Sequence, residues 1–153
     1  MTESELLIKD FRIMYDLSDE DADTLSHFNA DQLKEIFAGL LCGAEEPVNF
    51  IMNFNAETFD ADQIAEIIDG GKKGLNYREY VNPCYNYLQM KLIKDGMLAK
   101  INYSAYANPN LTWEQMFQIK KGLEEGLNVL LFNNPNLSLM EMIKIRRSLL
   151  EAV

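Results

Sequence analysis

We expect an all-α fold for this chain: a tandem-repeat solenoid in which each unit pairs a long helix with a short, 3₁₀-like helix. Asn-Pro pairs recur at a spacing of 26 residues, at Asn82-Pro83, Asn108-Pro109 and Asn134-Pro135. Helix-capping residues, each followed three positions later by Gln or Glu, recur in step with them, and this pairing marks the start of a helix. A fixed period of this size is typical of stacked helical repeats.

The period divides the chain into one domain over 1–153 with an atypical beginning. The segments are an N-terminal helical cap over 1–27, repeats over 28–58, 59–84, 85–110 and 111–136, and a truncated terminal repeat over 137–153. The first repeat carries five extra residues in its loop. A chain of this length buries about two-thirds of its unfolded surface, which is enough for a core without metals or disulfides.

Local chemistry predicts where each long helix begins. The predicted N-caps are Asn29, Asp60, Asn86, Thr112 and Ser138. The residues three positions later, which complete a capping box, are Gln32, Gln63, Gln89, Gln115 and Glu141. A hydrophobic staple brackets each box, and isoleucines continue the buried stripe at 36, 67, 93, 119 and 145.

A second, short helix is expected to follow each long one. We expect it to begin near Asn49, Asn76, Asn102 and Asn128. Tyr80, Tyr106 and Phe132 would anchor it in the core, and the Asn-Pro pair would stop it, because the residue before proline avoids the helical region. Small residues late in the long helices, Gly39 among them, indicate close approach of neighbouring elements.

The N-terminal cap should cover the first repeat, since solenoid ends need an atypical covering element. Residues 3–16 are predicted to form an amphipathic helix that carries Leu6, Phe11, Ile13 and Met14. Ser18 is predicted to cap a shorter helix after it.

The repeat pattern resembles a known group of sequences. Residues 111–135, LTWEQMFQIKKGLEEGLNVLLFNNP, are similar to helical repeats in proteins of phages and integrative elements of Gram-positive gut bacteria. The resemblance covers 59–153 well and 28–58 loosely, and copy three departs most, at Ala99 and Lys100. It implies a phage or mobile-element protein that acts on other macromolecules, and it carries over no catalytic residue.

Residues for catalysis or metal binding are sparse. His27 is the only histidine, which excludes most His-based triads and zinc ligand sets, and no phosphate-binding glycine motif occurs. Asp19, Asp21 and Asp23 imitate the start of a calcium loop, but Thr24 and Ala30 stand where that loop needs glycine and glutamate. We therefore expect a protein that is not an enzyme, with no catalytic residue, no cofactor and no metal.

The remaining composition predicts a cytoplasmic protein, and the resemblance implies that the cytoplasm is that of a bacterial host cell. Cys42 and Cys84 lack metal-ligand or redox spacing and read as free thiols in a reducing compartment. No signal peptide is recognisable, and no apolar run approaches the roughly 18 residues of a membrane span.

Charge is distributed unevenly along the chain, whose net charge is −10. Residues 1–70 hold 17 Asp/Glu and 3 Lys/Arg, whereas residues 71–153 hold 7 and 11. The candidate acidic interaction residues are Asp19, Glu20, Asp21, Asp23, Glu35, Glu66 and Asp69. The candidate basic stripe, expected on the last three copies, comprises Lys94, Lys120, Lys121, Arg146 and Arg147. The alternative to a binding surface is that these charges only form a solvated face. Trp113, a further candidate interaction residue, is either packed at a repeat junction or an interface anchor.

These observations favour a non-catalytic protein-binding repeat protein encoded by a phage or mobile element. An acidic surface would suit an inhibitor of a bacterial defence nuclease, of CRISPR or restriction type, because the nucleic-acid channel of such a host protein is basic. The alternative is a structural, assembly or adaptor protein that forms homo-oligomers through its repeat ends. Overall negative charge disfavours direct nucleic-acid binding.

Overall fold

The computed structural model describes residues 1–152, over which helices are the only regular secondary structure. The α-helices are α1 Glu3–Tyr15, α2 Asp19–Leu25, α3 Ala30–Leu41, α4 Glu45–Met52, α5 Ala61–Lys72, α6 Tyr87–Ala99, α7 Trp113–Glu124 and α8 Leu139–Glu151. Three 3₁₀ helices accompany them: η1 Tyr77–Glu79, η2 Tyr103–Ala105 and η3 Val129–Leu131. The predicted all-α class is confirmed.

The chain forms two compact units. Unit 1 (Met1–Asn76) contains α1 to α5, and unit 2, which begins at Tyr77, contains the 3₁₀ helices and α6 to α8. Within unit 1, α3 packs against α4 and α5, and α1 packs against α3. Within unit 2, α7 packs against both α6 and α8.

The five predicted helix starts are confirmed. Each predicted N-cap accepts a hydrogen bond from the backbone N–H three residues later, and each Gln or Glu at that position accepts one in return from the N-cap amide. In α3, for example, both bonds of the box between Asn29 and Gln32 are 2.8–2.9 Å long. The staple residues inside the helices are fully buried: Leu33, Ile64, Met90, Met116 and Met142.

Close approach of helices in unit 1 depends on Gly39. A Cβ at this position would lie 2.9 Å from Cγ2 of Val48 on α4 and 3.1 Å from Cδ1 of Ile68 on α5. Contacts below 3.0 Å require something to shift, so a larger residue here would displace Val48 and crowd Ile68. The expectation that small residues mark close packing is confirmed here.

The second helix of the first repeat begins earlier than we predicted. It is an eight-residue α-helix, α4, that starts at Glu45, so Asn49 lies inside it and does not cap it. Pro47 is tolerated in the first turn because the backbone N–H that it lacks would have no partner within the helix anyway. Glu45 and Glu46 also favour this start, since carboxylates stabilise the positive end of the helix dipole.

The three 3₁₀ helices lie where the short helices were expected, and buried aromatic residues follow them. Tyr106 and Phe132 are fully buried in unit 2, and the Tyr106 hydroxyl donates a hydrogen bond of 2.6 Å to the Leu92 carbonyl. Burial, and after it the negative charges of Asp95 and Glu124, raises the pKa of Tyr106 far above its usual range. These tyrosine and phenylalanine rings anchor each 3₁₀ segment, as predicted.

Helix α1 covers less of unit 1 than we expected. None of its residues is buried. Phe11 stacks on Phe37 of α3 with ring centroids 3.9 Å apart, but Leu6, Ile13 and Met14 are exposed. At 100° per residue, Leu6 and Ile13 lie about 140° and 160° around the helix from Phe11, so packing through Phe11 turns them toward solvent.

Candidate functional site

The acidic segment of unit 1 is built around the start of α2. The Ser18 hydroxyl accepts a 3.0 Å hydrogen bond from the Asp21 N–H, and Leu25, buried at the other end, holds the helix to the unit. Asp19, Glu20 and Asp21 occupy the first turn, where the helix dipole favours negative charge. Asp19 forms an ion pair with Arg12.

Three carboxylates of this segment are left without compensation. Within residues 1–152, Glu20, Asp21 and Asp23 have no ion-pair partner. Unit 1 as a whole holds 17 Asp/Glu and 5 Lys/Arg, a net charge of −12, and none of these carboxylates is buried. Local negative charge is therefore in excess and accessible.

The other acidic candidates lie on the long helices of unit 1. Glu35 is on α3, and Glu66 and Asp69 are on α5, all three half-buried. Asp69 pairs at 2.8 Å with Lys73, the residue that follows the end of α5. These three residues are thus less exposed than Asp19, Glu20 and Asp23.

Unit 1 also contains a cavity that the sequence did not suggest. It is an open cleft of about 460 Å³ between the end of α2 and the turn that follows α4. Its lining combines acidic, aromatic and amide side chains: Asp23, Thr24, His27, Phe28, Phe54, Asn55, Ala56 and Glu57. Asp23 and Glu57, which are 34 positions apart in the sequence, thereby line one pocket.

The turn that forms one wall of this cavity is held in place by hydrogen bonds. The Gln32 side-chain amide donates to the carbonyls of Ala56 and Phe59, each at 2.7 Å. The Glu57 N–H donates to Asn55 Oδ1 at 3.1 Å, and the rings of Phe54 and Phe59 meet edge to face at 5.2 Å. The pocket is therefore preformed.

The predicted basic stripe is not a continuous exposed surface. Lys94 is only 5 % exposed, so its assignment to the stripe is wrong. Lys120 pairs with Glu124 at 2.6 Å, and Arg146 pairs with Glu125 at 2.6 Å, with side chains only 17 % and 13 % exposed. Lys121 and Arg147 alone among the five are exposed in the described chain.

The stripe is interrupted because the repeat position that Lys94, Lys120 and Arg146 share points toward the interior of the protein. Phe37 and Ile68, the equivalents of Lys94, Lys120 and Arg146 in the first two copies, are 2 % and 5 % exposed. This position therefore faces the interior, and the basic side chains there reach partners instead of water. Two apolar residues at the same position were the available signal.

Trp113 begins α7 and is 36 % exposed. Two aromatic residues that the sequence reasoning missed accompany it: Phe117, one turn later, at 43 %, and Tyr87, the first residue of the neighbouring α6, at 39 %. The spacings of 4 and 26 residues were the signals that could have found them. Unit 2 therefore has three partly exposed aromatic side chains on its first two long helices.

Outside these surfaces, few groups suggest chemistry. Over residues 1–152, no three His, Cys, Asp or Glu side chains lie close enough to hold a metal ion. Cys42 and Cys84 are exposed free thiols. No helix in that range has the length and apolar character needed to cross a bilayer. The Glu3 carboxylate, which accepts a hydrogen bond from Lys34, raises the pKa of that lysine.

Comparison with family models, with curated proteins and with solved structures finds no match to this chain.

Proposed function

We propose that this chain is a non-catalytic binding protein whose unit 1 occupies a basic surface of a partner protein. The net charge of −12 on unit 1, carried entirely by accessible carboxylates, is the observation that supports this function. Unpaired surface charge of one sign opposes compact folding through self-repulsion and attracts an oppositely charged partner. Glu20, Asp21 and Asp23 are the residues where this excess is most local.

The cavity beside Asp23 supports the same proposal at the level of a single side chain. The Asp23 and Glu57 carboxylates are suitable acceptors for an arginine of the partner, and the half-buried Phe54 supplies aromatic surface on which a guanidinium stacks. A volume of about 460 Å³ falls within the range of about 300–1,000 Å³ that is usual for ligand pockets.

The repeat chemistry supports a solenoid arrangement of helices within each unit. The same cap, box and staple begin α3, α5, α6, α7 and α8. Sequential packing of α6, α7 and α8 in unit 2 has the form expected when one repeat contacts the next. Such arrays present extended surfaces that suit protein binding.

The partner class that we propose is a nucleic-acid-binding protein of bacterial defence, a nuclease of CRISPR or restriction type. A channel that binds nucleic acid presents Lys and Arg to phosphates, and an acidic protein competes for the same groups. Resemblance to repeats of phages and integrative elements supports this setting. In this proposal the chain acts in the bacterial host cell as an inhibitor.

Affinity capture from a host lysate tests the proposal when matched variants are compared. We expect the wild-type chain to retain a basic protein that Glu20→Gln/Asp21→Asn/Asp23→Asn retains poorly. Lys121→Gln/Arg147→Gln, which neutralises the two exposed members of the predicted stripe, is the control and should capture normally.

The captured protein is then purified and its association rate measured against salt and against competing nucleic acid. We expect the rate to fall as salt rises, because exposed charges are screened over about 8–10 Å and steering acts on encounter. Nucleic acid should displace the chain. Capture that is indifferent to the acidic variant at low salt would refute the proposed function.

A further inference from the structure

Two surfaces of this chain carry several large hydrophobic side chains that are exposed to solvent. The first surface is in unit 2. We call it the aromatic–basic face, and it comprises Tyr87, Lys91, Leu98, Trp113, Phe117 and Lys121 on the packed helices α6 and α7. Trp113, Phe117 and Lys121 follow one another at intervals of four residues, which places them on one side of α7. Trp and Tyr are the residue types that most often anchor interfaces.

The second surface is the outer face of α1, which comprises Leu6, Asp10, Ile13 and Met14. Ile13 is 76 % exposed, Met14 61 % and Leu6 49 %. This helix exposes three large apolar side chains to solvent, which is the pattern of an amphipathic helix that lacks its partner.

The segments that carry the two surfaces have net charges of opposite sign. Residues 1–25, which contain α1 and α2, hold eight Asp/Glu and two Lys/Arg, whereas residues 87–152 hold six Asp/Glu and eight Lys/Arg. Asp10 on one surface, and Lys91 and Lys121 on the other, form no ion pair within the part of the chain that the structure describes.

We propose that the outer face of α1 in one copy of this chain docks on the aromatic–basic face of a second copy. Docking removes apolar side chains of both surfaces from water and brings the acidic α1–α2 segment toward Lys91 and Lys121. An amphipathic helix laid on aromatic side chains is a common mode of recognition. This inference stands on unit 2 and α1, and it does not depend on the proposed defence partner.

Because the two docking surfaces differ, each copy that binds one neighbour still offers its other surface. Contacts of this heterologous kind produce rings if the rotation closes and open chains if it does not. The wild-type chain should therefore pass beyond the mass of two copies as its concentration rises, and salt should oppose the growth.

Sedimentation of the purified full chain over a concentration series tests the inference with three single variants. Ile13→Asp places a carboxylate in the outer face of α1, and Phe117→Asp places one in the aromatic–basic face. Leu130→Asp is the matched control, since Leu130 is 81 % exposed on η3 and belongs to neither surface. All three positions are exposed, and circular dichroism verifies that each variant is folded.

We expect wild type and Leu130→Asp to associate equally, and Ile13→Asp and Phe117→Asp to remain single chains. An equimolar mixture of the last two should reach the mass of two chains and stop, because each supplies the surface that the other lacks. A wild-type chain that stays single at every concentration would overturn the inference. So would a mixture that fails to pair, or a Leu130→Asp variant that is equally impaired. The assay contains no other protein, so its failure leaves the proposed function to be judged by partner capture.

Discussion

Replacing Gly96 by alanine sets two opposing effects against each other in unit 2. Alanine is favoured over glycine inside a helix by about 1 kcal/mol, and Gly96 lies within α6. The new Cβ would, however, lie 2.8 Å from Cβ of Tyr103 and still closer to the hydroxyl of Tyr106, both of which belong to the η2 segment. Helix propensity therefore predicts that Gly96→Ala raises the free energy of unfolding, whereas packing predicts that it lowers it.

The structure indicates that packing prevails. Overfilling a tight core costs about 1–3 kcal/mol. Displacing the Tyr106 hydroxyl also endangers its hydrogen bond to the Leu92 carbonyl, and an unsatisfied buried donor costs a further 1–3 kcal/mol or so. After subtracting the gain in helix propensity, we expect Gly96→Ala to lower the free energy of unfolding by about 1–5 kcal/mol.

Urea denaturation followed by tryptophan fluorescence measures this change, since Trp113 is the only tryptophan and lies in unit 2. The variant Tyr106→Phe removes the atom that the new methyl group meets most closely. Gly96→Ala and Tyr106→Phe should therefore be less damaging together than the sum of their separate effects, with a coupling of about 0.5–3 kcal/mol. A stabilised Gly96→Ala variant, or strictly additive effects, would refute the reasoning.

Three further predictions concern the stability of the fold. Ile93→Ala should cost about 2–5 kcal/mol because Ile93 is fully buried, whereas the cap variant Asp60→Ala should cost about 1 kcal/mol; thermal melts that rank them the other way would show our assignment of the helix faces to be wrong. Gln89→Ala should lower the melting temperature more than Glu141→Ala. The buried Gln89 side chain accepts a hydrogen bond from the Asn86 N–H and donates one to the Leu111 carbonyl, whereas Glu141, at the equivalent position, is exposed. Above about pH 10 the unfolded state loses the Tyr106 proton while the folded state keeps it, so stability should fall by about 1.4 kcal/mol per pH unit, and urea titrations should show a flatter fall for Tyr106→Phe.

Helix starts were predictable because their chemistry is local. A capping box joins residues only three positions apart, so the pattern around Asn86 and Gln89 contains all the atoms that form it. The second helix of the first repeat was misplaced for a related reason. Asn49 is a good cap by residue type, but Glu45, Glu46 and Pro47 favour the earlier start that the structure shows.

Tertiary placement was less predictable. Lysine seldom lies inside a protein, so residue type alone assigned Lys94 to the surface, although Phe37 at the equivalent position pointed inward. The cavity in unit 1 depends on Asp23 and Glu57, which only the packing of α2 against the later turn brings together. Exposure of Ile13 likewise depends on which side of α1 meets α3, and an amphipathic pattern with apolar residues on two sides does not decide that.

The buried glutamines allow the segments that connect successive long helices to differ in length. Gln89 and Gln115 each donate to a carbonyl 22 residues downstream, at Leu111 and Leu137, whereas Gln32 donates to Phe59 across 27 residues. The same terminal bond is made in all three cases, although the intervening chain is five residues longer in one of them.

Closing the longer loop costs only about 0.2 kcal/mol more by the logarithmic dependence of closure entropy on length. The hydrogen bond from Gln32 to Phe59 therefore holds the start of the next repeat in the same position although the segment between the two residues is longer. The first copy carries its five extra residues beyond Gly43, which aligns with Gly74 of the next copy. Chain length can therefore vary in that stretch, whereas the short turn between α3 and α4 is fixed by the buried Ala44.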